Sequence, residues 1–522
     1  MQRPLTILIS GAGIAGPTLA YWLVRRGHRP VLVERTPELR VGGHAVDIRG
    51  TALEVIERMG LDTAVRDART QILTLSAVRP DGVRTYDVAL RPMHEARGDR
   101  EIEIMRDDLV RILFDAVNDD VEVVFGDSVR ALSAQDDARV SVEFERGAAR
   151  EVDLVIGADG QHSAIRELTM GADRGLTHHL GAYLSIYTVD NLLGLRDQAV
   201  LYNEPGRGAA MFTVRGNQRA KVVLLFRSPM LDVDFGDPAA QHDVLRRRFA
   251  GMGWETRRLV ESLPDAYDFY FDEMSQVRLP RWSTGRVALL GDAAFGPSPM
   301  SGQGTSLALI GAFLLAHHLA EEPDPTTAFE LWEKGFRPNV ELNQALAPDG
   351  MSTLLPASRF GICARNQMMR VLPLFARFGR GFGGRIERAF ARSHSATLND
   401  LSTLVGLMRT TKLAGNAVAP AVLLGLFGAH VAAAGPCRDV KHVLRIFADH
   451  GGALDLDKRV RRPWLVDAHH HPRIAGQRAA FRGVLAGVER QLVTVDDEPN
   501  GCYQGSAVGS EITEQSSSSA FG

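Results

Sequence analysis

A chain of 522 residues is too long for one ordinary core, so two or three domains are expected. Hydrophobic residues make up 45%, charged ones 24%, and the net charge is only -3, which excludes the basic surface of a nucleic-acid binder. Cys363, Cys437 and Cys502 are scattered and odd in number, so neither a disulfide framework nor a zinc site is expected, and a reducing cytoplasm fits.

The first forty residues organise the rest. Thr6-Ile-Leu-Ile-Ser meets Gly11-Ala-Gly13-Ile-Ala15-Gly16, an amphipathic stretch follows, and Val31-Leu-Val ends in Glu34-Arg35. This is the strand, turn, helix, strand pattern of a dinucleotide site. Gly11 permits the tight turn, Gly13 lets the backbone approach a pyrophosphate, and Gly16 lets helix pack on strand. The helix N-terminus then offers unpaired N–H groups to phosphate. Glu34 can accept from ribose hydroxyls, and an acid there disfavours a 2′-phosphate, favouring FAD or NAD over NADP. Arg3 before an apolar stretch superficially resembles an export leader. The ordered glycines and Glu34 explain the same residues better, so no export is expected.

Gly42-Gly43-His44 reads as a loop whose backbone can lie close to a flat ring. A helix is expected over Thr51–Met59, with Thr51 as N-cap and Gly60 as stop. Strands follow between Ile72 and Leu90 around a Pro80-Asp-Gly turn. Arg106-Asp-Asp-Leu109 opens an acid-rich helix, and alternation resumes at Val121–Phe125 and Val140–Phe144. Val152–Gly157 is an apolar strand running into Asp159-Gly160, with Ser163 and Arg166 at the start of a helix. Residues 180–275 read as strand-rich: Ala182–Val189, Ala199–Tyr202, Ala209–Val214, Ala220–Phe226 and Asp265–Phe271. No glycine fingerprint lies among them, which suggests a substrate-side sheet.

The third landmark is a buried strand from Val287 through Gly291 to Asp292. A loop braced by Pro297 and Pro299 then enters a long helix through Gly302 and Gly304-Thr305. Helices are expected over Thr305–Leu319 and Thr327–Leu346, and beyond about residue 345 the text is helical and cationic. Leu413–Gly435 carries no charge and is long enough to span a membrane. Its Ala/Gly-rich character instead favours a buried or interfacial helix pair, so membrane contact is not the preferred reading. His469-His-His471 reads as a solvated loop rather than a metal site, and Ser516–Ser519 closes a polar tail.

In this order and at these separations, the three landmarks resemble the flavoprotein monooxygenases of the para-hydroxybenzoate hydroxylase type, and most closely their tetracycline- and polyketide-modifying branch. The resemblance covers about residues 5–400. It implies an α/β fold: an FAD-binding Rossmann-like domain, an inserted mixed β-sheet substrate domain and a C-terminal helical region. The boundaries it suggests are 1–72, 100–178 and 276–345 for the discontinuous FAD domain, and 73–99 with 179–275 for the substrate domain. Residues 346–400 are then the helical region, and 401–522 an extension of unknown role.

By the same resemblance, Gly11, Gly13, Ala15, Gly16, Glu34 and Arg35 would hold the ADP half of FAD, and Arg106 would lie on the flavin side. Asp159, Gly160 and Arg166 are associated with the pyrophosphate region and with NAD(P)H use. Gly291 and Asp292 would meet ribityl and pyrophosphate, and Gly302, Gly304 and Thr305 would lie along the ring edge. Phe295 and Ser306 stand where many relatives carry His and Asn, departures that bear on substrate class.

The implied reaction uses NAD(P)H as transient electron donor and O2 to insert one oxygen atom into a phenolic, polyketide or antibiotic-like molecule. A closed, largely apolar pocket is then needed. Tyr183, Tyr187, Tyr202, Arg215 and Tyr270 stand on or beside strands that could face it, and the acid–base residue is left unassigned. The alternatives are a flavin-dependent reductase or a non-catalytic flavin-binding partner on the same fold. A halogenase is disfavoured, because Trp282 and Trp332 stand alone rather than in a Trp-x-Trp-x-Ile-Pro run. The oligomeric state is left open.

Overall fold

The computed structural model describes residues 3–40, 42–70, 72–90, 101–136, 139–171 and 175–378. These belong to one compact unit, residues 1–416, while a second unit, 417–522, lies outside them. The expectations for 413–435, His469–His471, the serine tail, Cys437 and Cys502 therefore fall outside the described residues. Among the described residues no helix is long and apolar enough to cross a membrane.

Two large sheets carry the unit. The first runs in the order Ser283–Thr284, Val287–Leu289, Leu154–Gly157, Thr6–Ser10, Arg29–Glu34, Glu122–Phe125. Apart from its two-residue edge it is parallel throughout. Its central strands are apolar on both faces, as a parallel sheet covered on both sides requires; Ile7, Leu8, Ile9, Leu154, Val155 and Ile156 are fully buried. The helix Ala15–Arg25 packs on the helix Gly304–Glu321, where Trp22 meets Phe313 edge-on at 4.9 Å. Gly304–Glu321 is apolar nearly all round and accordingly buried along its length. The next helix, Pro325–Gln344, starts on an Asp324 cap that accepts from Thr327 N at 2.9 Å.

The second sheet has seven strands, in the order Tyr270–Val277, Thr177–Asp190, Arg219–Arg227, Arg207–Thr213, Gln198–Glu204, Thr74–Val78, Arg84–Ala89. Alternation gives it two different faces. On one, Tyr183, Tyr187, Met211, Leu224 and Phe226 pack against two helices, Pro238–Phe249 and Thr256–Glu261. On the other, Ala182, Leu184, Ile186, Leu225 and Met274 meet Met300 of the proline loop and Met351 and Leu355 near the C-terminal helices. The long excursion leaves and returns at paired positions, Thr177 opposite Val277.

Several expectations are corrected. Gly50, at φ +54°, occupies the cap position and Thr51 is the first helical residue. The strand expected at 265–271 runs instead over Tyr270–Val277, preceded by a 3-10 turn at Leu263–Asp265. The region expected to be strands also contains the two helices just named, and Val129–Asp136 is a further strand that its weak alternation did not announce. The third landmark strand stops at Leu289, and Asp292 opens a four-residue helix.

Candidate active site

Parallel pairing brings the three landmarks together. Ser10 stands opposite Gly157, and Gly157 opposite Leu289, so three neighbouring strands end level and their turns share one rim. Crevices beyond the carboxyl ends of such strands are where open α/β sheets bind ligands. At Gly11 (φ +108°) a Cβ would lie 2.5 Å from Ala158 O, and at Gly16 one would lie 2.0 Å from Gly11 O. Both glycines are therefore dictated by close backbone packing. Gly13 differs: its hydrogen faces open space, with only Arg106 Nη2 within reach, 3.6 Å from where a Cβ would stand. Ala15 is buried at the start of the first helix. Glu34 Oε2 accepts from Ala12 N at 2.9 Å, and Oε1 from Thr36 N and Oγ1 at 3.1 and 2.9 Å. It thus steadies the turn and keeps lone-pair capacity for a ligand. Arg35 beside it is exposed.

On the second turn, Ser163 caps its helix by accepting from Arg166 N at 3.0 Å and donates to Asp159 Oδ1 at 2.5 Å. Burial pushes the Asp159 carboxyl up, and the Ser163 hydroxyl and Ile165 N partly offset it. Gly160, at φ +84°, is open: a Cβ placed there would meet no atom within 4 Å. Arg166 is only 3% exposed, and its guanidinium donates to Ala293 O at 3.1 Å and Gln161 O at 2.6 Å. It ties the second turn to the third.

On the third turn, Gly291 (φ +65°) sits against the first helix, where a Cβ would come within 3.1 Å of Ala15 Cβ. Asp292 is crowded by protein yet its carboxylate stays open to solvent, as at the floor of a deep cleft. That crowding raises its pKa, and the positive charge of Arg106 opposes the rise. Arg106 opens its helix and, among the described residues, its guanidinium has no hydrogen-bond partner. Burial and the nearby Arg40 lower its pKa, while Tyr270 and Asp292 hold it up. Gly302, left-handed at φ +63°, precedes Gly304 and Thr305, the first residues of an 18-residue helix whose opening amides lack intrahelical acceptors. Ser306 accepts from Arg49 N at 3.1 Å and donates to Asp47 O at 3.4 Å, locking the strand Ala45–Arg49 onto that first turn. Phe295 lies in the core against Trp282 at 4.7 Å and Phe336 at 5.7 Å, away from any pocket.

Of the five candidates for the substrate side, Tyr183, Tyr187 and Tyr202 are core residues. The hydroxyls of Tyr187 and Tyr202 donate to Leu259 O and Glu204, that of Tyr183 accepts from Leu231 N, and burial raises all three. Arg215 is exposed on a hairpin. Only Tyr270 belongs to the rim, packed beside the inner apolar face with Arg40 over its ring at 5.3 Å. Two groups went unnoticed in the sequence. His44 is pushed down to about 4 by burial, then by the charges of Arg106 and Lys221, so it is a neutral imidazole at pH 7. Asp272 joins Tyr270 to His162. The polar interruption Tyr270-Phe-Asp-Glu within a strand was the available signal for the second.

Known proteins place this arrangement. The family model described as FAD binding domain matches residues 5–324. An uncharacterized protein of Mycobacterium tuberculosis is 43% identical over 348 residues, 66% of this chain and 93% of its own. A flavin-dependent monooxygenase of Legionella longbeachae is 37% identical over 352 residues, 66% of this chain and 88% of its own. The crystal structure of tetracycline destructase Tet(51) superposes with a TM-score of 0.64 at 36% identity, over 70% of this chain and 96% of that one. The chain therefore belongs to the FAD binding domain family and is an FAD-dependent monooxygenase.

Proposed function

We propose that the groove along the level strand ends holds FAD, that NADH or NADPH reduces it, and that one oxygen atom of O2 is inserted into a phenolic, polyketide or antibiotic-like molecule resting on the inner apolar face. The observation that carries this reading is the convergence of three turns, with Gly13 and Gly160 open and Arg106 and Asp292 facing a common space. Those features fit a long dinucleotide: open glycine backbone for a pyrophosphate, an unspent guanidinium, and an open carboxylate. When bound, FAD supplies the electron transfer and the reaction with oxygen.

The residues divide that work. Gly11 and Gly16 shape the turn, Gly13 and the amides after Ala15 receive phosphate, and Glu34 with Arg35 meets the adenosine end. Arg106 offers charge-assisted hydrogen bonds. Asp159, Gly160, Gly291 and Asp292 line the middle, and Arg166 acts as a positioning residue through Ala293. Gly302, Gly304 and Thr305 aim the positive end of a helix at the ring edge, where negative charge develops on reduction. Leu184, Ile186, Leu225, Met274, Met300 and Met351 exclude water from the reacting side. No second glycine fingerprint exists in the sequence, which supports transient docking of NAD(P)H. Membership of 74–78 and 84–89 in the second sheet supports assigning 73–99 with 179–275 to the substrate side. A cytoplasmic enzyme with a small-molecule substrate, O2 and no nucleic-acid partner completes the proposal.

The test is purified full-length protein, expected to be yellow, screened for NADPH oxidation against phenolic and polyketide compounds with tetracycline first. Stimulated oxidation with a product heavier by one oxygen atom is the expected result. Stimulated oxidation that yields only hydrogen-saturated product would establish the reductase reading instead.

A further inference from the structure

We propose that His162, Asp272 and Tyr270 form a hydrogen-bonded proton path joining bulk water to the rim of the groove. The inference rests on the monooxygenase reading above, since a phenolic ring is activated for oxygen insertion by losing its proton. Every link has hydrogen-bond geometry. The Tyr270 hydroxyl donates to Asp272 Oδ2 at 2.9 Å, and His162 Nε2 lies 3.0 Å from the same oxygen and 3.1 Å from Oδ1. Glu273 N donates to Oδ1 at 2.8 Å and fixes the carboxylate. The outer end is open and the middle is closed: the His162 side chain is 54% exposed, that of Asp272 8%. The inner end belongs to the site, because Tyr270 packs with the apolar face and interacts electrostatically with Arg40, Asp292 and Arg106.

A buried carboxylate bridging an exposed imidazole and a half-buried phenol has no need to exist for packing alone. Burial and the Asp272 charge raise the Tyr270 hydroxyl well above its ordinary range, so it stays neutral and works by passing protons rather than by ionising. His162 faces Asp272 and Glu273 on the strand Tyr270–Val277 and Arg166 on its own helix; the Asp272 bond dominates and raises it. Glu273 is itself held by His179 at 3.1 Å. A proton arriving at Tyr270 Oη displaces the phenolic proton onto Asp272 Oδ2. Asp272 transfers it to His162 Nε2, and Nδ1 releases one to water. The two oxygens regain their starting states and the imidazole resets by exchanging tautomers. One proton leaves the groove, and no electron moves.

The test uses the holoenzyme and three variants, His162→Gln, Asp272→Asn and Tyr270→Phe, each first checked for retained flavin absorbance. In ring-labelled protein, NMR should show His162 titrating above an ordinary imidazole in the wild type, falling back in Asp272→Asn and moving in Tyr270→Phe. A His162 titration indifferent to Asp272→Asn overturns the path. In stopped-flow pH jumps, bound FAD absorbance reports how fast protons reach the cleft. Relaxation should slow several-fold in His162→Gln and recover with added imidazole; an unchanged rate, or slowing that imidazole does not reverse, also overturns it. Tyr270→Phe removes only a hydroxyl and keeps the test decisive if Asp272→Asn does not fold. A slowed and rescued relaxation in a protein that oxygenates nothing leaves the path standing and sinks the monooxygenase reading instead.

Discussion

The two sheets solve different problems. The parallel sheet buries both faces and puts its chemistry in the turns beyond its strands, where glycine is forced by backbone contacts. The seven-stranded sheet spends one face on its helices and presents the other, so its chemistry sits on side chains within strands. The first kind of site is written in glycines at fixed spacing. The second depends on which way each strand residue points, and a one-residue error in register reverses that.

This contrast can be broken or sharpened. The largest effect is expected on the parallel side: Gly16→Ala places a Cβ 2.0 Å from Gly11 O, an overpacking of about 3 kcal/mol that should leave the protein colourless and poorly folded. Retained FAD with an unaltered melting curve would break the comparison. In the second sheet, Asp268→Asn strands the buried Lys221, whose Nζ lies 2.6 Å from Asp268 Oδ2, and should cost about 3 kcal/mol in urea unfolding. Native Asp268 is tuned for this partner; burial pushes its carboxyl up, but Lys221 and Thr188 outweigh that and hold it below its usual value. Arg106→Ala should weaken FAD binding about tenfold by fluorescence titration while leaving the flavin-free protein no less stable, because the guanidinium is unpartnered among the described residues.

The smallest effect is a pH dependence. The folded pKa of His162 is raised above 6.5, so its contribution to stability is complete below that pH and disappears as pH rises through the raised value. The melting-temperature gap between wild type and Asp272→Asn should therefore be widest below pH 6.5 and narrow above it. A gap that widens with pH would show that the imidazole is not what Asp272 supports.

How much was legible follows the same division. Gly11, Gly13, Gly16, Glu34, Asp159 and Asp292 could be read because turn geometry and terminal charge leave few other uses for those residues in that order. The role of Arg166 could not, since sequence does not distinguish an arginine buried on carbonyls from one reaching for a ligand. Phe295, a departure expected to bear on substrate class, is core, because its partners Trp282, Trp332 and Phe336 arrive from distant segments. The strand Tyr270–Val277 is masked in the sequence by Asp272, Ser275 and Gln276, polar residues buried because each finds a hydrogen-bond partner. The helix Pro238–Phe249 did announce itself through Asp237 and Pro238, a cap and first-turn signal outweighed by the surrounding strand pattern.

The pairing of Thr177 with Val277 has a practical consequence. A segment whose two ends meet side by side can be exchanged without moving what it is inserted into. Together with the hairpin 74–89, it makes the second sheet a removable cartridge: chimaeras that carry a relative's version of both pieces should keep the flavin and change the molecule oxidised.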